Sequence, residues 1–135
     1  MRKGFVTMLG LAGLLAAVAP AWAHHAFAAE FDAQKPVKLR GTVAKVEFIN
    51  PHSWIHIDVK GNDGKTVTWM IEGASPNNLY RLGFTKESLP PGSVILVEGF
   101  QAKDGSTRAV GRNITFKDGK KLFLGLSEAE SGPSK

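Results

Sequence analysis

Val37-Lys38-Leu39-Arg40-Gly41-Thr42-Val43-Ala44-Lys45-Val46-Glu47-Phe48-Ile49 is the segment on which the fold turns. Val37, Leu39, Gly41 and Val43 alternate on odd numbers, whereas Val46 and Phe48 continue on even numbers. A side-chain period of two cannot change phase without an inserted residue, so a bulge or sharp bend is predicted near Ala44-Lys45. Long first strands bent in this way are what small closed barrels need. Asn50-Pro51 ends the strand, since Pro donates no ladder hydrogen bond.

Downstream, Ser53 to Lys60 reads as a second strand, with Ile55, Ile57 and Val59 on one side and His52, Trp54, His56 and Asp58 on the other. Asn62-Asp63-Gly64 is a turn signal, so this strand is predicted to form a hairpin with Thr66 to Glu72. There Val67, Trp69 and Ile71 share a face opposite Thr66, Thr68 and Met70, which makes Trp69 a core residue. Ser75 as N-cap and Pro76 at the first helical position open a short helix in which Leu79 and Leu82 stand three apart, and Gly83 stops it. Thr85 to Leu89 adds one more turn. Val94 to Phe100 and Arg108 to Phe116 are strands four and five, and Lys121 to Leu124 is a short sixth. The order predicts a mainly β fold, a five- to six-stranded OB-like Greek-key barrel with one short helix between strands 3 and 4. An irregular sandwich is the alternative.

Upstream, Arg2 and Lys3 precede an uncharged stretch from Gly4 to Pro20, and Ala21-Trp22-Ala23 supplies the small-x-small pattern of a cleavage site. Residues 1–23 therefore read as a signal peptide, which places the chain in the periplasm. The apolar run is too short for a spanning anchor, which needs about 20 residues. No Cys follows it, so no lipid anchor is expected, and no stable membrane attachment remains after processing. Residues 24–126 form the predicted domain with its lead-in, where Phe27 and Phe31 either share a helical face or dock on the barrel. Residues 127–135 read as a disordered tail.

The whole chain of 135 residues carries 17 Lys plus Arg against 12 Asp plus Glu, with 43% hydrophobic and 21% charged residues and no Cys. Disulfides, thiolate metal sites and Cys nucleophiles are thereby excluded together. Removing Arg2 and Lys3 lowers the formal charge from +5 to +3, and the remaining basic residues are scattered, so no nucleic-acid partner is expected. A chain of this size buries about 65% of its unfolded surface, enough for one core without staples.

Ala23-His24-His25-Ala26-Phe27, Asn50-Pro51-His52-Ser53-Trp54, and Pro91-Gly92-Ser93 ahead of a strand ending Val97-Glu98-Gly99 resemble a family of small exported bacterial proteins that carries only a domain-of-unknown-function label. The likeness spans essentially the whole mature chain and implies no activity. Phe84 departs from the Trp that the family pattern implies after the Leu-Gly helix stop. More loosely, the strand pattern is similar to exported bacterial OB-fold stress proteins, which implies a binding module.

All four His lie in two clusters, His24-His25 and His52 with His56. Cleavage after Ala23 would give His24 a free α-amine, which with its own ring Nδ1 chelates one ion. A third nitrogen from another His completes the T-shaped arrangement called a histidine brace. His25 offers a second mode, through its ring, the α-amine and the amide between. Imidazole and amine nitrogens suit Cu(II), so copper is the expected cofactor and His24, His25, His52 and His56 are the candidate ligands. His52 and His56 point to one face, but four residues along a strand span about 13 Å. With metal–nitrogen bonds near 2 Å, closure by His52 of a site begun at His24 or His25 asks for less. Met70, the single Met after the signal peptide, supplies a methionine-rich Cu(I) site poorly. A plainer set of roles for the same residues is a turn His bonding nearby backbone, an exposed strand His, and a terminal pair that takes up Cu(II) adventitiously.

Glu72-Gly73-Ala74-Ser75 reads as a capped helix rather than an anion site, because Pro76 removes a donor and Glu72 repels. Trp54, on the polar register, is the candidate surface for a partner. With no Ser-His-Asp order, paired carboxylates, phosphate loop or dinucleotide fingerprint, no enzyme is expected. The expected function is a periplasmic copper carrier or accessory protein serving an envelope protein partner. The alternative is a metal-free module that binds a peptide, glycan or envelope protein around Trp54. A small copper oxygenase is a third reading, for which so short a chain has little surface to shape a substrate site.

Overall fold

β1 (Phe31–Ile49) serves two partners along its 19 residues. Its first part pairs antiparallel with β4 (Val94–Ala102), from Pro36 opposite Phe100 to Thr42 opposite Val94. Its second part pairs antiparallel with β2 (His52–Lys60), from Thr42 opposite Asp58 to Ile49 opposite His52. The hand-over falls at the predicted change of phase: Val43 faces Ile57 and Lys45 faces His56, so Ala44 has no counterpart on β2. Val37, Leu39 and Val43 reach the core before the bulge, and Val46 and Phe48 after it. A computed structural model describes residues 27–125, and the stretch read as a signal peptide, His24, His25 and the tail read as disordered all lie outside that range.

β1 begins at Phe31 rather than at Val37. Asp32 Oδ1 accepts a hydrogen bond from the Gln34 amide at 2.9 Å, and the register with β4 slips between Phe31 and Pro36. Turn chemistry is thus present, but Phe31, 4% exposed, pins the segment to the sheet. Phe27 and Phe31 dock as a pair on Phe100, Ala102 and Val110, a second small core separate from the main one.

β3 (Thr66–Gly73) is antiparallel to β2, and β5 (Arg108–Phe116) is antiparallel to β4 and to β6 (Lys121–Phe123). One mainly β sheet results, in the order β3-β2-β1-β4-β5-β6, with one further contact: Met70, Ile71 and Glu72 of β3 run parallel to Arg108, Ala109 and Val110 of β5. Among the described residues no helix is long and apolar enough to cross a membrane.

Ile55 and Ile57 of β2, Ile71 of β3, Ile95 and Val97 of β4 and Ile114 of β5 fill the interior. Their spacing follows the strand period, in which alternate residues face one side. Trp69 packs against this core as predicted. Val67 does not: it is 43% exposed, because β3 gains β5 as a neighbour only from Met70 onward and Val67 lies outside that covered stretch.

α1 (Pro76–Arg81) has the predicted ends. The Asn78 amide donates to Ser75 Oγ at 3.3 Å, Pro76 stands where no amide hydrogen is required, and Gly83 takes φ +78° past the last turn. Leu79 is fully buried, but Leu82 is 56% exposed. The helix ends before Leu82 can complete the apolar pair, and Phe84, just beyond the glycine, occupies the interior position. A single 3-10 turn at Lys86–Ser88 leads to buried Leu89.

Candidate functional site

Because Ser53, Ile55 and Ile57 of β2 are buried, strand alternation turns His52, Trp54 and His56 to the outer side of the sheet. Registers with the neighbours set them in two rows. Glu47 of β1, Trp54 and Glu72 of β3 form one, and Lys45, His56, Met70 and Arg108 of β5 form the other.

Each β2 histidine meets a carboxylate on a different neighbouring strand. His56 Nε2 is hydrogen-bonded to Glu47 Oε2 at 2.7 Å, with the His56 side chain 11% exposed. Lys45 Nζ donates to the other oxygen of Glu47 at 3.0 Å. Hydrogen bonds from Lys45 and then His56 hold the Glu47 carboxyl below the usual carboxylate range. His52 Nδ1 stands 2.8 Å from Glu72 Oε1, on a carboxylate only 11% exposed, while the His52 side chain is 48% exposed. Burial pushes the Glu72 carboxyl up; the charge of Glu30 adds to this, and His52 and Arg108 oppose it.

His56 is thus engaged from β1 and His52 from β3, each ring held to a different neighbouring strand. Among the described residues no three of His, Cys, Asp and Glu group closely enough to hold a metal. Trp54 lies on the outer face as predicted, half-buried, with its ring 6.4 Å from the His52 ring at 61°. Glu72 engages His52, and Ser75 Oγ caps the helix as predicted.

The segment entering β1 is tied to the same neighbourhood. Residues 27–30 are helical, the Phe27 ring lies 5.9 Å from Phe31 and 6.1 Å from Phe100, and Glu30 Oε2 is 3.5 Å from an Arg108 guanidinium nitrogen. The Arg108 guanidinium in turn stands 5.6 Å above the Phe31 ring. Val110, in the small core with Phe31, is the β5 counterpart of Glu72. Neither β2 histidine lines the open groove of about 420 Å³ between Pro36, Lys38, Glu98, Phe100 and Arg112, which lies across β1, β4 and β5.

Glu47, Glu72 and Arg108 are absent from the ligand and partner residues read from sequence. The signal for the two carboxylates was nonetheless present: odd positions after the bulge face outward on β1, and Glu72 continues the outward series Thr66, Thr68, Met70 on β3.

A family model described as a family of unknown function, DUF6152, matches residues 12–112. No curated protein matches the chain.

Proposed function

The chain belongs to the DUF6152 family of unknown function, and from that premise we propose that it is an exported copper-binding carrier or accessory protein of the cell envelope. In this reading residues 1–23 are removed on export to the periplasm. The new α-amine and ring of His24 then hold Cu(II), with His25 as the alternative second-position ligand, and His52 closes the site. The domain is read as an OB-type barrel, a reading supported by the parallel β3–β5 contact that brings the ends of the β1–β5 series together.

The observation that carries the metal reading is His52. Its Nδ1 stands 2.8 Å from a carboxylate buried in the sheet, and its Nε2 has no such neighbour among the described residues. A carboxylate behind an imidazole is the usual means of orienting a metal ligand and raising its basicity. Copper would supply a Lewis-acidic, exchangeable centre for transfer to an envelope partner; no catalytic step is assigned.

Isothermal titration of the exported protein with Cu(II), together with its intact mass, tests this. The mass is expected to show a chain starting at His24, and Glu72→Gln to weaken Cu(II) binding by about 10-fold. Affinity unchanged after His24→Ala combined with His52→Ala would end the reading, as would an exported chain that starts elsewhere.

A metal-free reading rests on Trp54, whose indole stands on the outer face between two acidic residues in register, Glu47 and Glu72. That arrangement suits a peptide, a glycan or a basic segment of an envelope protein. Under it, Trp54→Ala abolishes capture of an added partner while truncation of His24 leaves capture intact. The reverse pattern favours copper.

A further inference from the structure

His56 and Met70 are direct cross-strand partners on the outer face, which puts their Cβ atoms about 5 Å apart. The hydrogen bond between His56 Nε2 and Glu47 Oε2 commits one ring nitrogen, and Nδ1 has no partner among the described residues. With Nε2–H donating to the carboxylate, the lone pair lies on Nδ1. Met70 is 38% exposed, so its side chain is partly open to solvent on the same side of the sheet. Trp54 is the diagonal neighbour of Met70 on that face, within reach of a side chain of its size.

An imidazole nitrogen, a thioether sulfur and an indole face form a soft donor set. Thioether sulfur selects Cu(I) and chemically similar ions, and an indole face attracts a cation. We infer that His56 and Met70, with Trp54 beside them, form a second metal site on the outer face, one that takes a soft monovalent cation such as Cu(I) or Ag(I). A lone methionine cannot build a methionine-rich site, but paired across strands with an oriented imidazole it provides a two-donor one. The surrounding charge fits a single added positive charge: Lys45 is engaged by Glu47, Arg108 by Glu30, and Glu72 stands beside Trp54. A hard divalent ion would find no converging oxygen set among the described residues. None of the residues of the proposed Cu(II) site is used, so the two sites stand or fall separately.

Titration of the exported protein with silver nitrate in chloride-free buffer tests the site, read by native mass and by tryptophan fluorescence. One Ag(I) per chain is expected, with quenching of emission as it binds. Met70→Leu, which keeps the apolar bulk, is expected to weaken Ag(I) binding by about 100-fold or more, and Glu47→Gln by about 10-fold through loss of the orienting carboxylate. His56→Gln should match Met70→Leu; should it fail to fold, the Met70 variant decides alone. Cu(II) uptake at the N-terminus, followed by its electron paramagnetic resonance spectrum, should be unaltered in Met70→Leu. Ag(I) affinity unchanged in Met70→Leu overturns the site, and so does Ag(I) binding that vanishes on replacing His24 and His25 but survives loss of Met70.

Discussion

Phe84→Ala is expected to destabilise the folded chain by about 3–5 kcal/mol, a large part of the roughly 5–15 kcal/mol that holds a domain of this size together. Phe84 is 0% exposed and heads the fully buried side chains by volume. It lies 6.2 Å from the Phe48 ring, and its amide donates to Leu79 O at 2.8 Å, so the benzyl group and the backbone that positions it both belong to the helix-to-sheet joint. Truncation leaves a cavity between β1 and the helix, and the cost of such a deletion rises with the volume left empty. Tyr80 is the internal control. It also meets Phe48, edge-on at 5.4 Å, yet is 52% exposed, so Tyr80→Ala should cost under about 1 kcal/mol. Urea denaturation followed by far-UV circular dichroism measures both, and equal costs for the two variants would show that the interior is not anchored at Phe84.

The position of Phe84 also shows how far the sequence was legible. Ser75, Pro76 and Gly83 announce the ends of the helix because each residue type has a local physical reason to stand there, and those ends are where they were read. What local chemistry does not decide is which side chain turns inward once the helix stops. Leu82, three after Leu79, looked like the second apolar contact; the glycine turns the chain so that Leu82 faces solvent and Phe84 enters. Val67 followed the strand period yet is exposed, since burial on a given side also needs a neighbouring strand to cover it. The bulge at Ala44 was readable because it leaves a phase change in the apolar pattern of one strand. The site was half readable. His52, Trp54 and His56 declare their common face by alternation, whereas the carboxylates that hold the rings come from β1 and β3. Glu47 and Glu72 become partners only when both registers are known, and a register is a property of two strands that no single-strand pattern contains.

Gly99→Ala is expected to cost about 3 kcal/mol or more and, unlike the Phe84 truncation, to disturb the lead-in as well. Gly99 of β4 faces Gly111 of β5 where their register shifts, since Glu98 pairs with Asn113 and Arg112 is left over. β5 arches toward β4 there, so closely that a Cβ on Gly99 would come 1.9 Å from the Val110 carbonyl oxygen and 2.9 Å from its carbon. Backbone cannot swing aside as a side chain can, so the alanine methyl must push β5 away or break the pairing at the bulge. Gly111→Ala is the instructive comparison, because its Cβ would meet Leu124 Cδ1 at 2.6 Å and Ile71 Cγ2 at 2.8 Å. Those are side-chain methyl groups with some freedom to yield, so its cost should be smaller. Displacement of β5 at Val110 reaches the outer face directly: Val110 packs with Phe31 and is the β5 counterpart of Glu72, the carboxylate at His52. Even where the variant still folds, Cu(II) affinity should therefore fall along with stability. A Gly99→Ala protein with wild-type urea midpoint would refute the close approach of the two strands, and one that loses stability but keeps full Cu(II) affinity would detach the lead-in from the site.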